Sequence, residues 1–275
     1  METIILGAGG LGRAAAAALA ARGDDARLVG RPGTGRHDPE NLQGAAVIVE
    51  ASRGHAVRTN VEAGIAAGCR RFVIATTDWS RDRAALDASL TQAGASAVAA
   101  SNFSLGVALF GRLVETATRM FGPLADFDPY LVEWHRRTKS DRPSGTARDL
   151  ADRMLAVHPR KTRVSNGSGS QPAIDELEVV AIRAGVNPGT HLVGFDAPGE
   201  ALEIRLTSRD RSAYAAGILA SADWLVAADR APGLHWFEPE VVDELLAAAG
   251  PPDQGAALNA IRESKPNAMP NPNSA

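Results

Sequence analysis

T-I-I-L-G-A-G-G-L-G-R-A-A-A-A-A-L-A-A, residues 3–21, is the stretch on which the fold turns. Residues 3–6 are apolar and partly β-branched, which predicts a short strand. An alanine-rich helical pattern begins at Arg13. Between them, Gly7-Ala8-Gly9-Gly10-Leu11-Gly12 reads as G-x-G-x-x-G. In that setting Gly7 allows a tight turn, Gly9 lets the backbone approach a pyrophosphate, and Gly12 lets helix and strand pack closely. A glycine-rich turn without a ligand is the bland alternative. The position at the first strand–helix junction of the chain favours a dinucleotide.

The pattern continues outward from that junction. Strands are predicted over 26–29, 46–51, 72–75 and 95–99, with helices over 57–67 and 84–92 between them. Short apolar strands alternating with helices predict an α/β fold with a doubly wound parallel sheet, of Rossmann type. Ligands of such sheets bind beyond the carboxyl ends of the strands. Gly7 to Gly12, Arg31, Thr76-Thr77 and Ser101-Asn102 therefore fall along one crevice, although Ser, Thr and Asn also serve there as turn formers and caps. After the second strand the chain has Gly30-Arg31 in place of an acidic residue at the strand end, with Arg36 and His37 nearby. A cation at that place suits a 2′-phosphate, so NADPH is expected over NADH.

A long helix over 107–121 precedes a change of pattern. A strand over 130–134 leads into V-E-W-H-R-R-T-K-S-D-R-P-S-G-T-A, residues 132–147. Ser144-Gly145-Thr146 opens a helix running to 156, beside Arg136, Arg137 and Lys139. Cations next to the free N–H groups of a helix start make a site for a carboxylate or phosphate. His135 and Lys139 add groups able to move protons. Only three of the 29 Lys and Arg residues are lysines (Lys139, Lys161 and Lys265), which makes a lysine in this cluster a mild clue. A solvated basic turn is the competing reading. Further strands over 177–183, 191–195 and 201–206, joined by Pro-Gly turns, predict a second, antiparallel or mixed sheet. An apolar helix spans 214–227, and the Pro-, Asn- and Ser-rich tail over 251–275 is expected to be disordered.

Composition narrows the partners. A formal net charge of −3 argues against nucleic acid as the main partner. No apolar run approaches the roughly 20 residues of a membrane span. The amino terminus lacks a signal peptide's basic start and apolar middle, so a cytoplasmic protein is expected. Cys69 stands alone, which excludes disulfides and cysteine-rich metal centres, and no metal site is expected.

Residues 133–147, E-W-H-R-R-T-K-S-D-R-P-S-G-T-A, resemble the signature E-x-H-H-x-x-K-x-D-x-P-S-G-T-A of the dihydrodipicolinate reductase family. The run 102–107, N-F-S-L-G-V, Thr76-Thr77, Arg183-Ala184-Gly185, His191, Glu200, Glu203 and Arg211 fit its further motifs, so the resemblance reaches to about residue 246. The resemblance implies a dinucleotide-binding domain (1–106), a smaller mixed α/β domain for substrate and tetramer contacts (107–209), and a return to the first domain (210–250). It implies that a nicotinamide hydride reduces an unsaturated cyclic imine dicarboxylate, with a homo-oligomer, by resemblance a tetramer, as the assembly. It carries catalysis onto His135 and Lys139, with Lys139 as proton donor, and substrate binding onto Arg136, Gly145 and Thr146. Cofactor binding falls on Gly7, Ala8, Gly9, Gly10, Leu11, Gly12, Arg31, Ala75, Thr76, Thr77, Ala100, Ser101, Asn102 and Phe103.

This chain departs from the family at several positions. Arg136 replaces the second His, Ala75 and Asp78 replace both glycines of G-T-T-G, the glycine loop is one residue shorter, and Leu206 falls where His is usual. Asp78 has three readings: toward solvent, repelling a dianion, or paired with Arg136. His37, His55, His158 and His235 default to surface or packing roles, and His191 reads as a satisfied core or interface residue. Three functions follow: the family reaction, a paralogous reduction of another cyclic imine or unsaturated amino acid, and a non-catalytic nucleotide-binding protein. The presence of both His135 and Lys139 weighs against the last.

Overall fold

The computed structural model describes residues 2–32, 37–165 and 171–250. Arg36, most of the Gly/Ser-rich loop after Ser165 and the expected disordered tail lie outside the described residues. Among the described residues, no helix is long and apolar enough to cross a membrane.

Strands β1 (Thr3–Leu6), β2 (Ala26–Val29), β3 (Val47–Glu50), β4 (Arg71–Ile74), β5 (Ser96–Ala99) and β11 (Gly233–Trp236) form one parallel sheet in the order β11-β5-β4-β3-β1-β2. The runs T-I-I-L and V-I-V-E are buried along their whole length, as strands covered on both faces must be. Successive side chains point to opposite faces. Ile5, Val49, Val73 and Val98 pack under helices α1 (Gly10–Arg22) and α6 (Ser212–Ala227). Ile4, Leu6, Ile48, Phe72 and Ile74 pack under α2 (Val57–Ala66) and α3 (Arg83–Ala93). Because β1 pairs with β2 on one side and β3 on the other, the chain reverses direction across the sheet there, which opens a crevice at the carboxyl ends of β1 and β3.

A second sheet runs β10-β9-β6-β8-β7. Its central strand β6 (Asp128–His135) is parallel to β8 (Glu176–Arg183) and antiparallel to β9 (Thr190–Ala197), which in turn pairs with β10 (Glu200–Thr207). A short β7 (Arg163–Val164) lies beside β8. Helices α4 (Leu105–Phe121) and α5 (Gly145–Val157) cover one face through Phe110, Val114, Leu150 and Met154. The opposite face leaves Trp134, Val180 and Ile182 each 40% exposed.

Several elements differ from the sequence-based expectation, the short β7 among them. Helix α1 begins at Gly10 because Gly9 takes the N-cap position, so the later glycines of the loop form the first helical turn. The edge strand β11 and the short helix α7 (Asp243–Ala249) were not predicted. G-L-H-W is too short to show a period, and Gly233 holds φ 126°, a conformation open to glycine, at its start. The segment after β11 is tied to the second layer: Arg153 of α5 reaches Glu238 through two hydrogen bonds of 2.9 and 2.7 Å. Arg112 of α4 donates to the Glu238 carbonyl at 3.0 Å and pairs with Asp243.

Helix α6 approaches the turn before α4 so closely that a Cβ on Gly217 would lie 1.8 Å from the Phe103 carbonyl oxygen and 2.8 Å from the Phe237 ring. Gly217→Ala is therefore expected to destabilise the fold by about 1–3 kcal/mol through overpacking. Urea denaturation followed by circular dichroism measures this, and an unchanged midpoint contradicts it.

Candidate active site

At the carboxyl ends of β1 to β3 lies a cavity of about 250 Å³, lined by Gly7, Ala8, Gly9, Arg31, Ser52 and Arg53, with His37 and His55. Gly7 has φ 111°, and a Cβ there would meet the Ala51 carbonyl at 2.5 Å. A Cβ on Gly12 would meet the Gly7 carbonyl at 1.9 Å, so helix and loop are in backbone contact. No side chain caps α1, which leaves its first N–H groups free for an anion. Arg211 lies over that helix start, its guanidinium filling the space that a Cβ on Gly10 would need. Arg31 is exposed at the rim, and His37 is buried beside it, its imidazole pushed below the ordinary value by that burial. Both His37 and His55 thus line the cavity; His37 was noted near Arg31 in the sequence, whereas His55 had defaulted to a surface or packing role.

Several positions expected at the cofactor turn their side chains into the protein. Leu11, Ala75 and Ala100 pack against the α1/α6 core, and Phe103 is buried 5.1 Å from the Phe237 ring. Asn102 accepts the Ser104 N–H at 2.8 Å, while Thr77 and Ser101 are exposed. Thr76 is buried, and its hydroxyl donates to the Glu50 carbonyl at 3.2 Å. Glu50 itself is wholly buried at the end of β3. Its carboxylate accepts from the N–H of Ser52 at 2.9 Å, from the Ser52 hydroxyl, and from Asn60 at 2.7 Å. Burial pushes the Glu50 carboxyl up, and these neutral donors only partly offset it.

Asp78 keeps a glycine-like backbone at φ 65°. Its hydrogen-bond partner is the Thr77 hydroxyl at 3.3 Å, and no pair with Arg136 forms. Gly54 packs onto this loop, where a Cβ would stand 2.4 Å from the Asp78 carbonyl and 2.6 Å from that of Thr77.

At the second sheet, β6 ends in His135, which is buried. Its Nδ1 lies 3.2 Å from the Pro188 carbonyl and its Nε2 lies 3.3 Å from Glu133 Oε2. Lys139 is part-exposed and pairs with Asp141 at 2.7 Å; its hydrogen bond holds the Asp141 carboxyl below the usual carboxylate range. Arg136 is exposed and makes no side-chain hydrogen bond or ion pair with the described residues. Ser144 caps α5, its hydroxyl accepting the Ala147 N–H at 3.1 Å. Gly145 and Thr146 occupy the first turn, where backbone N–H groups have no helical partner.

Beneath this helix start lies a group the sequence reading did not single out. Glu133 is fully buried and accepts from Arg183 at 2.6 Å and from the Ser144 N–H at 2.9 Å, with His191 Nε2 at 3.6 Å. Burial raises the Glu133 carboxyl, but the nearby His191 imidazole and the hydrogen bonds from Ser144 and Arg183 outweigh it and hold the group well below the ordinary value. Glu133, His135 and His191 bring three ligand-capable atoms within 4.8 Å of one another. Arg183 already supplies the compensating charge on the same carboxylate, and a divalent cation would stand against that guanidinium. The set is better described as an ion-pair cluster.

Comparison with known proteins gives a consistent result. Residues 106–238 match the family profile "Dihydrodipicolinate reductase, C-terminus". The 4-hydroxy-tetrahydrodipicolinate reductase of Methanoregula boonei is 30% identical over 189 residues, covering 69% of this chain and 72% of that protein. The enzyme of the same name from Wolinella succinogenes is 42% identical over 131 residues, 46% of this chain and 50% of that protein. The chain thus spans about half the length of some curated relatives it matches. A dipicolinate-bound dihydrodipicolinate reductase from Paenisporosarcina sp. TG-14 superimposes with a TM-score of 0.65, over 86% of this chain and 97% of that one. At 17% identity that likeness speaks for the fold.

The Glu50 network yields a pH test. A carboxyl raised by burial contributes stability below its unfolded value and loses it as pH rises through its folded value. Glu50→Gln has nothing to titrate there, so its urea midpoint should gain on wild type as pH is raised from 4.5 toward neutrality. A constant offset across that range would show that Glu50 does not titrate in the expected sense.

Proposed function

The chain belongs to the 4-hydroxy-tetrahydrodipicolinate reductase family, and from that premise we propose that it reduces an unsaturated cyclic imine dicarboxylate, dihydrodipicolinate, to tetrahydrodipicolinate in lysine and diaminopimelate biosynthesis. Bound NAD(P)H supplies the hydride. The observation that carries the reading is the loop from His135 to Thr146, which joins a part-exposed lysine to a helix start whose Gly145 and Thr146 N–H groups have no helical partner. Gly145 and Thr146 receive one substrate carboxylate, and Arg136 offers a free cation to the anion. Lys139 Nζ gives the proton that neutralises the charge left by hydride addition, while Asp141 holds the lysine in place. His135 stays behind it, with both ring nitrogens turned to protein oxygens.

At the other end, Gly7, Gly9 and the start of α1 fit a pyrophosphate, with Arg211 over the same helix turn. Thr77 and Ser101 are exposed toward the nicotinamide end, and Ala75, Thr76, Ala100, Asn102 and Phe103 shape the walls through backbone and packing. Arg31, with His37, favours NADPH. The uncovered face around Trp134, Val180 and Ile182 suits contact between copies in a homo-oligomer, here proposed as a tetramer in the cytoplasm. The division at residues 106 and 209 assigns cofactor to the first sheet and substrate to the second.

A second reading, reduction of a different cyclic imine or unsaturated amino acid, is favoured by Arg136, whose free guanidinium stands where the family has His.

The deciding experiment is NADPH oxidation coupled to synthase-generated imine. Wild type is expected to turn over, with Lys139→Ala losing about 10²–10⁴-fold in kcat. Tight NADPH binding without turnover would favour the second reading. Arg31→Ala should raise KM for NADPH while leaving that for NADH nearly unchanged; equal efficiency of wild type with NADH removes the cofactor preference.

A further inference from the structure

Glu133 uses its two oxygens differently. Oε1 accepts the Ser144 N–H at 2.9 Å and Arg183 Nη2 at 2.6 Å, and Arg183 reaches on to the Asp141 carbonyl. These contacts fix the chain on both sides of the turn that leads into α5. Oε2 faces Nε2 of His135 at 3.3 Å and Nε2 of His191 at 3.6 Å. Neither Oε2 nor His135 Nε2 has a hydrogen-bond partner among the described residues, and both are buried.

The opposite nitrogen of His135 explains the tension. A carbonyl only accepts, so Nδ1 facing Pro188 carries the hydrogen. A neutral His135 then presents the Nε2 lone pair to a carboxylate oxygen, two acceptors face to face in a buried place. A proton on Nε2 removes that conflict. The two imidazoles meet edge to face at 5.3 Å, so a second positive charge on the pair would be repelled by the first. The charged and titratable groups around them are Glu133 on β6, Arg183 on β8, His191 on β9, and Lys139 with Asp141 in the connecting loop. Burial lowers His135, against the pull of Glu133, which leaves His135 room to gain a proton.

We propose that Glu133 is a positioning residue, fixing the anion-binding start of α5 through Ser144 and Arg183, and that a dicarboxylate bound there is coupled through Oε2 to uptake of one proton by His135. Without that proton Glu133 and Arg183 cancel, and the ground beneath the site is neutral. With it, the cluster is cationic under a dianion. The inference rests on the proposed substrate class, but its test does not require turnover.

The test is calorimetric titration of the full chain with pyridine-2,6-dicarboxylate, in buffers of differing ionisation enthalpy between pH 6 and 8. Wild type is expected to take up close to one proton on binding, with Kd rising by about tenfold per pH unit on the alkaline side. Glu133→Gln should lose that uptake and flatten the slope. In ¹⁵N spectra of the ligand-free protein, the same variant should move the His135 titration to lower pH. Binding by wild type without proton uptake overturns the proposal even if Glu133→Gln does not fold. Should the probe fail to bind, an unchanged His135 titration in the variant overturns it as well, and a lowered one supports it. Proton uptake with no imine turnover sinks the reductase reading and leaves this one standing; turnover without uptake does the reverse.

Discussion

A carboxylate withdrawn from water keeps its place only where the fold supplies donors to it, and each sheet of this protein carries such a group near the end that bears the site. Glu50 and Glu133 are both wholly buried, but their partners differ in charge. Glu50 is surrounded by neutral donors from Ser52, Asn60 and Thr76, so burial dominates and its carboxyl is raised. Glu133 has a guanidinium and two imidazoles, and its carboxyl is lowered. Each network draws a loop down onto the end of its strand. The first fixes the turns after β3 and β4 beside the glycine loop, and the second fixes the turn that opens α5. Without those donors the carboxylates would stay buried and uncompensated, so each loop is held to its strand end by the cost of losing them.

The two sheets are joined by pieces from late in the chain. Helix α6 shares the core of the first sheet, and β11 extends that sheet beside β5. The segment after β11 then returns to α4 and α5 through Glu238, held by Arg112 and by both arms of Arg153. These ions are partly exposed, so screening reduces what the pairs contribute, and their bidentate geometry matters more as a register than as a source of stability. A connection of this kind adds ionic register to the apolar packing of α4 and α6 around Phe103 and Phe237.

What was legible in the residues follows from how locally each feature is encoded. T-I-I-L followed by glycines at fixed spacing states strand, turn and helix within one short run, and the parallel sheet follows from its repetition. The loop from His135 to Thr146 is contiguous, so its cations and helix start could be read together. Glu133 could not be read that way, because its partners Arg183 and His191 come from strands far along the chain and meet it only once β8 and β9 flank β6. The same holds for Arg211 over Gly10, which meet only once α6 packs beside α1. His191 was read as a satisfied buried residue, and buried it is, but at the edge of the charged cluster.

The departures from the family pattern have physical compensations that differ between the two loops. Asp78 stands at a position whose backbone retains the left-handed conformation of a glycine, and Asp is among the few residues that adopt it at modest cost. The loop therefore keeps its path, supported by the missing Cβ at Gly54, and the substitution adds an exposed carboxylate without moving the chain. Arg136 lies outside the hydrogen-bonded framework and alters charge alone. Asp78 and Arg136 do not pair, so each substitution changes the charge of its own loop, one after β4 of the first sheet and one after β6 of the second.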